Sequence, residues 1–292
     1  MLTIQTILCP TDLSEASVRS VPLATHFARL YGADLHLLHV HLLHAGSLAE
    51  DDVPFPGEEE ARAALEASAG GIPWTRVVHH VDRGINAAPT IIDYADANDV
   101  DLIVIGSHGR RGFRRLMLGS VTSEVVRYAR RPVLIVRHED DAAPPSDVDR
   151  LIVPVDFSPA TDAALAVAGE LAATFDVPIE LLHAIEPIPY VQMAYPISVD
   201  DGEFRLHAQR RLDELATRLD AARDVDTTIA VSTAEQAVTD AAYRTASPLV
   251  VMASHGHSGL TRVLLGSTTE RLLRNAPCPV LVVPAGEREE AG

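Results

Sequence analysis

The sequence predicts an α/β protein built on parallel sheets, and it predicts that architecture twice over. Three observations carry this. Short aliphatic runs such as Leu102–Ile105 are continuous rather than alternating, the pattern of strands covered on both faces. These runs alternate with longer stretches whose apolar residues recur at three- and four-residue steps, which implies parallel strands joined by right-handed helical crossovers. Finally, the phrase IGSHGRRGFRRLMLGSVTSE at 105–124 returns at 252–270 as MASHGHSGLTRVLLGSTTE, so the plan is carried once per repeat.

In the first copy Ile7–Pro10 reads as a strand and Ser17–Tyr31 as the helix after it. Leu35–Val40 is the second strand, Glu58–Ala69 a helix, Thr75–Val81 a strand and Ala88–Asn98 a helix. Leu102–Ile105 precedes the glycine-rich phrase, Val121–Ala129 is the helix that follows it, and Val133–Val136 closes the unit. The second copy answers in the same order. ILCPTDLSEAS (7–17) returns as LIVPVDFSPAT (151–161), which aligns Asp12 with Asp156 and, further on, His39 with His183, at an offset of 144. At the glycine phrase the offset is 147, so the second copy holds a small net insertion. Between the copies HEDDAAPPSDVD (138–149) is acidic, contains proline and has no periodicity, which is linker composition. Two domains are expected, 1–139 and 147–292.

The chain of 292 residues carries a net charge of −17, and all 24 of its basic residues are arginine. Such a balance lacks the basic footprint that nucleic acid or an anionic membrane requires. Arginine without lysine fits either a GC-rich genome or adaptation to high salt, and neither points to an activity. No aliphatic run approaches membrane-spanning length, and MLTIQTILCPTD lacks the basic segment and apolar core of a secretory signal. Cys9 and Cys278 each adjoin a short strand and read as buried thiols of a cytoplasmic protein.

Gly106 and Gly109 follow directly on a strand, and Gly119-Ser120 opens a helix. Glycine admits positive φ and lets backbone amides approach a bulky anion. A helix N-terminus adds unpaired N–H groups and partial positive charge, which suits phosphate. Arg110, Arg111, Arg114 and Arg115 lie between the glycine pairs and offset local repulsion. The competing interpretation is a glycine turn before a serine-capped helix, and Ser267-Thr268-Thr269-Glu270 does spell a capping box. Two glycine clusters at fixed spacing, after a strand and before a helix, favour the anion site. In the second copy the stretch holds only His257 and Arg262, and Ala253 replaces Gly106. Were positive φ needed there, alanine would cost about 1 kcal/mol. The second copy is expected to be the poorer site.

The pattern Gly106-x2-Gly109-x9-Gly119-Ser120 resembles the nucleotide-binding signature of the universal stress protein family, and the resemblance covers both halves. It implies a Rossmann-like, flavodoxin-like sandwich in each half, with strand order 3-2-1-4-5. It also implies ATP as the ligand, with Mg²⁺ as its usual companion. By position, Asp12 and Val40 would hold the nucleoside; Gly106, Gly109, Gly119 and Ser120 would hold the phosphates, with Arg110, Val121 and Thr122 alongside. Asp156, Ala184, Gly256, Gly266 and Ser267 fit the same pattern in the second copy, which is broken at Ala253. The second copy also turns VDRGINAAPTIID (81–93) into AVSTAEQAVTD (230–240) and so loses a glycine.

Signs of an enzyme are sparse: there is no Cys/His metal spacing, no G-x-S-x-G elbow and no Walker lysine. The paired histidines His39 and His183 read as packing at strand ends, whereas His108 and His255 lie inside the glycine phrase. The expected function is a nucleotide-dependent stress regulator without rapid turnover. The alternatives are a slow ATPase or autophosphorylating enzyme of the adenine-nucleotide α-hydrolase group, and a non-binding assembly scaffold. PVLIV and PVLVV are strongly apolar for strands at a sheet edge, so they are expected to meet within the chain as a pseudo-dimer. Another surface then remains for a homodimer.

Overall fold

The computed structural model describes residues 3–43, 57–70, 76–107, 118–137, 146–186, 201–219, 224–254 and 265–284. The chain divides into two compact units, Met1–Asp147 and Val148–Gly292.

The first unit runs β1 (Thr6–Pro10), α1 (Glu15–Val18), α2 (Val21–Tyr31), β2 (Asp34–Leu42), α3 (Glu58–Ala69), β3 (Val77–Gly84), α4 (Ala87–Ala97), β4 (Leu102–Gly106), α5 (Ser120–Tyr128) and β5 (Val133–Val136). Its strands are all parallel, in the order β3-β2-β1-β4-β5. The second unit runs β6 (Arg150–Pro154), α6 (Thr161–Phe175), β7 (Ile179–Ala184), α7 (Asp201–Arg218), β8 (Val225–Ala230), α8 (Ala234–Ala242), β9 (Pro248–Ala253), α9 (Ser267–Asn275) and β10 (Val280–Val283). Its order is β8-β7-β6-β9-β10, again all parallel. The continuous aliphatic runs are explained directly: every residue of β4 and β5 is buried, as a parallel strand under helices on both faces must be.

The first predicted helix is broken in two. Pro22 has no N–H, and its ring would collide with the carbonyl one turn back, so α1 stops at Val18 and α2 restarts with the proline in its first turn. The Ser20 hydroxyl donates to the Ser17 carbonyl at 2.7 Å across the gap. In the second unit the counterpart of Pro22 is Ala166, and α6 runs unbroken for 15 residues.

β2 and β3 are longer than their sequences suggest, and they remain paired as far as Leu42 and Gly84. Beyond them α4 starts on a capping Asn86, whose side chain accepts from the Ala88 amide. Thr90 donates its hydroxyl to the Asn86 carbonyl at 2.9 Å and lies against Gly84, where a Cβ would sit 2.2 Å from the threonine Oγ1. The glycine that the second copy lacks is therefore a close-approach residue. Pairing also locates the length changes. Val77 and Val225 are equivalent at an offset of 148, against 144 on β2 and β7 and 147 on β4 and β9. The insertion falls between β7 and β8, and one residue is lost before β9.

Among the described residues no helix is long and apolar enough to cross a membrane. Cys9 and Cys278 are both buried and neither is in a disulfide. Burial pushes the Cys9 thiol up to about 11, against a smaller lowering by the Ser20 hydroxyl 3.3 Å away.

Candidate nucleotide site at the carboxyl ends of the strands

One wall of the site is the turn after β1. Asp12 Oδ1 accepts from the Ser14 amide at 3.0 Å and from the Ser14 hydroxyl at 2.6 Å. Ser14 in turn caps α1 by accepting from the Ser17 amide. Thr11 Oγ1 lies 2.7 Å from the Ser17 hydroxyl and accepts from the Leu13 amide. Leu13 is left-handed, with φ 63, a conformation that costs a non-glycine residue on the order of 1 kcal/mol. The second unit repeats the arrangement. Asp156 Oδ1 accepts from the Ser158 amide and the Thr161 hydroxyl, both at 2.9 Å, and Phe157 has φ 59.

The repeated histidines tie this turn to the neighbouring strand. His39 Nδ1 lies 2.9 Å from the Thr11 carbonyl oxygen, and His183 Nδ1 lies 2.7 Å from that of Val155. A carbonyl only accepts, so Nδ1 carries the proton in both rings. These are positioning residues of the turn, a role their strand-end place in the sequence hinted at without naming its target.

The other wall is the passage from β4 to α5. The Ser107 amide donates to the Val136 carbonyl at 3.1 Å, and the Gly119 amide donates to the Ser107 carbonyl at 2.9 Å. Thr122, buried in the first turn of α5, donates its hydroxyl to the Gly106 carbonyl at 2.8 Å. The helix begins on Gly119 with no side-chain cap, so the first-turn amides have no partner within the helix. Ser120 is exposed there and Val121 half-buried. In the second unit Gly266 donates to Ser254 at 3.1 Å and Thr269 donates to Ala253 at 3.3 Å.

The structure answers two points that the sequence left open. Gly106 is not in the left-handed region; it lies in β4, paired with Val136, just as Ala253 lies in β9, paired with Val283. Alanine therefore carries no backbone penalty at that position. The capping box of the second copy does not form either. Gly266 is the cap residue, Ser267 is already helical, and Glu270 pairs with Arg274 at 3.6 Å. Serine is displaced from the capping position because the Gly266 amide is what closes the loop onto Ser254.

β1 is flanked by β2 and β4, so Asp12, Val40, Gly106 and the Gly119–Thr122 turn all belong to carboxyl ends of neighbouring strands. This is the crevice in which open α/β sheets bind ligands. Val40 is half-buried in β2 opposite Asp82, and Ala184 ends β7 opposite Ala230. Gly109, Arg110 and Gly256 lie outside the described residues, as do His108, His255 and the other cations of the glycine phrase. Among the described residues no group of three or more His, Cys, Asp or Glu is placed to hold a metal ion.

Fold and site together define a tandem Rossmann-like α/β protein in which each half ties the end of its fourth strand to a helix start without a side-chain cap. The universal stress protein family matches residues 3–137 and 148–284, and the chain belongs to that family. It is 27% identical over 285 residues to the universal stress protein Rv2005c of Mycobacterium tuberculosis, spanning 92% of this chain and 89% of that one. It is 29% identical over 297 residues to a universal stress protein of Mycolicibacterium smegmatis, spanning 95% and 96%. The crystal structure of a universal stress protein from Archaeoglobus fulgidus shares the fold, with a TM-score of 0.68, 24% identity and coverage of 96% and 98%.

Proposed function

We propose that the chain is a cytoplasmic, ATP-binding stress regulator in which bound nucleotide alters conformation or partner choice without rapid turnover. One observation carries the proposal: α5 starts with no side-chain cap at the same sheet end where Asp12 is fixed by Ser14. The amides of a helix start without a side-chain cap and the Ser120 hydroxyl suit phosphoryl oxygens, while an ionised carboxylate accepts from ribose hydroxyls. Asp12, Val40, Gly106, Gly109, Arg110, Gly119, Ser120, Val121 and Thr122 form the proposed site. Mg²⁺ would be held chiefly through the phosphates themselves, which supply the oxygen ligands it prefers.

The second unit offers Asp156, Ala184, Gly256, Gly266 and Ser267, and at its Asp156 turn and at Gly266 its backbone is arranged like that of the first. What it lacks is cation density in the glycine phrase, so the first unit is the tighter site. Mass spectrometry of gently purified chain tests this. Retained ATP at about one per chain, lost in Gly109→Val and kept in Gly256→Val, supports the proposal; equal losses refute the ranking, and no adenylate at millimolar ATP refutes binding. The apolar strands Val133–Val136 and Val280–Val283 are further proposed to pair as an internal pseudo-dimer. Sedimentation of the isolated first half as a stable monomer at micromolar concentration would contradict that pairing.

A further inference from the structure

The polar layer between the sheet and α4 differs in kind between the two units. In the first, His36 of β2 and His80 of β3 meet Tyr94 of α4. His36 Nδ1 lies 3.0 Å from the Tyr94 hydroxyl, and the rings meet edge-on at 5.9 Å. The His80 ring lies tilted against the same tyrosine at 5.0 Å. Tyr94 is buried, so this cluster is part of what fastens α4 to β2 and β3. The counterpart of His36 is Glu180, and that of His80 is Thr228. There Thr228 and Arg244 donate to Glu180 Oε1 at 2.8 and 2.5 Å, and the carboxylate is buried. An arginine keeps its charge throughout, so this pair holds no imidazole for mild acid to protonate.

We propose that His36, His80 and Tyr94 form an acid-sensitive latch holding α4 to the sheet in the first unit alone, so that mild acid loosens that half selectively. Burial holds His36 below its ordinary value near 6.5; Asp34 opposes this, and Arg76 and His80 reinforce it. Asp82 is a further charge acting on Tyr94. The sign follows from linkage. A base whose folded-state affinity for protons is lowered contributes its full stability above about pH 6.5, and that contribution is lost as pH falls through the lower folded value. Protonation places a cation on the half-buried His36, beside the His80 ring and against the buried Tyr94. α4 also packs on α5. If the nucleotide reading holds, on which this last step rests, the first unit retains its nucleotide less well in acid.

Hydrogen exchange on the full chain at about pH 7.5 and about pH 5.5, corrected for intrinsic rates, tests the latch without reference to nucleotide. Amides of α4 and β3 are expected to lose protection severalfold in acid while those of α8 and β8 do not. His36→Gln, which keeps a polar partner for Tyr94 and cannot gain the charge, should abolish the difference. Equal pH responses of the two units, or of native and variant chains, overturn the proposal. Should the variant fail to fold, an NMR titration of the His36 ring in the native chain decides: its midpoint must coincide with the loosening of α4, and a midpoint at or above 6.5 overturns the latch. A latch that works while ATP is never retained would leave it standing and fail only the nucleotide assignment.

Discussion

The Gly119 amide donates to the Ser107 carbonyl at 2.9 Å, and Gly266 makes the same bond to Ser254 at 3.1 Å. Each bond ties the end of a central strand to the start of the helix that follows the glycine phrase. It also explains why neither helix uses its serine as a cap.

Ser120 stands in the first turn of α5. Aspartate there should favour the helix through its dipole by about 0.3–1 kcal/mol and repel a polyphosphate. Ser120→Asp is expected to keep or raise the melting temperature and to weaken ATP at least about tenfold by calorimetry, roughly 1.4 kcal/mol. Unchanged affinity would place the phosphates elsewhere.

Thr122→Val replaces a buried hydroxyl by a methyl of similar size and leaves the Gly106 carbonyl without its donor. A loss of about 1–2 kcal/mol from the first unit is expected in urea unfolding. Thr269→Val should cost its unit less, because the bond it removes is already 3.3 Å long. The reverse order would mean that the two bonds are not equivalent anchors.

Gly84→Ala should destabilise the first unit by about 1–3 kcal/mol through the collision with Thr90. Thr90→Ala in the same chain removes the colliding oxygen and should restore most of the loss. Additive losses in the double variant would show that space at Thr90 is not the cause.

The Cys9 thiol, pushed up to about 11 by burial, is expected to be almost wholly protonated at pH 8, with about one thiolate in a thousand. Cys278 is buried as well. A thiol reagent should therefore titrate neither cysteine rapidly in the folded chain and both in denaturant. A fast native thiol would mean that one strand opens readily.

Strand placement and parallel sense were legible because buried parallel strands must be aliphatic throughout, as Leu102–Ile105 and Val133–Val136 show. The break at Val18–Val21 was also written in the sequence, at Pro22, though apolar periodicity alone runs straight through it. What periodicity cannot reveal is a pairing between distant groups. The bond from His39 to Thr11 depends on strands brought together by topology, and that from Gly119 to Ser107 joins a strand end to the next helix across the glycine phrase. The conformation of Gly106 was open for the same reason: a glycine beside a loop admits positive φ, yet its pairing with β5 keeps it extended.

Leu13 and Phe157 each hold a left-handed backbone one residue after their aspartates, at a place where asparagine or glycine would sit more easily. A screen that scored only heat tolerance would be drawn to this turn. Changes that let it relax would gain hardiness at the expense of how firmly each carboxylate is aimed.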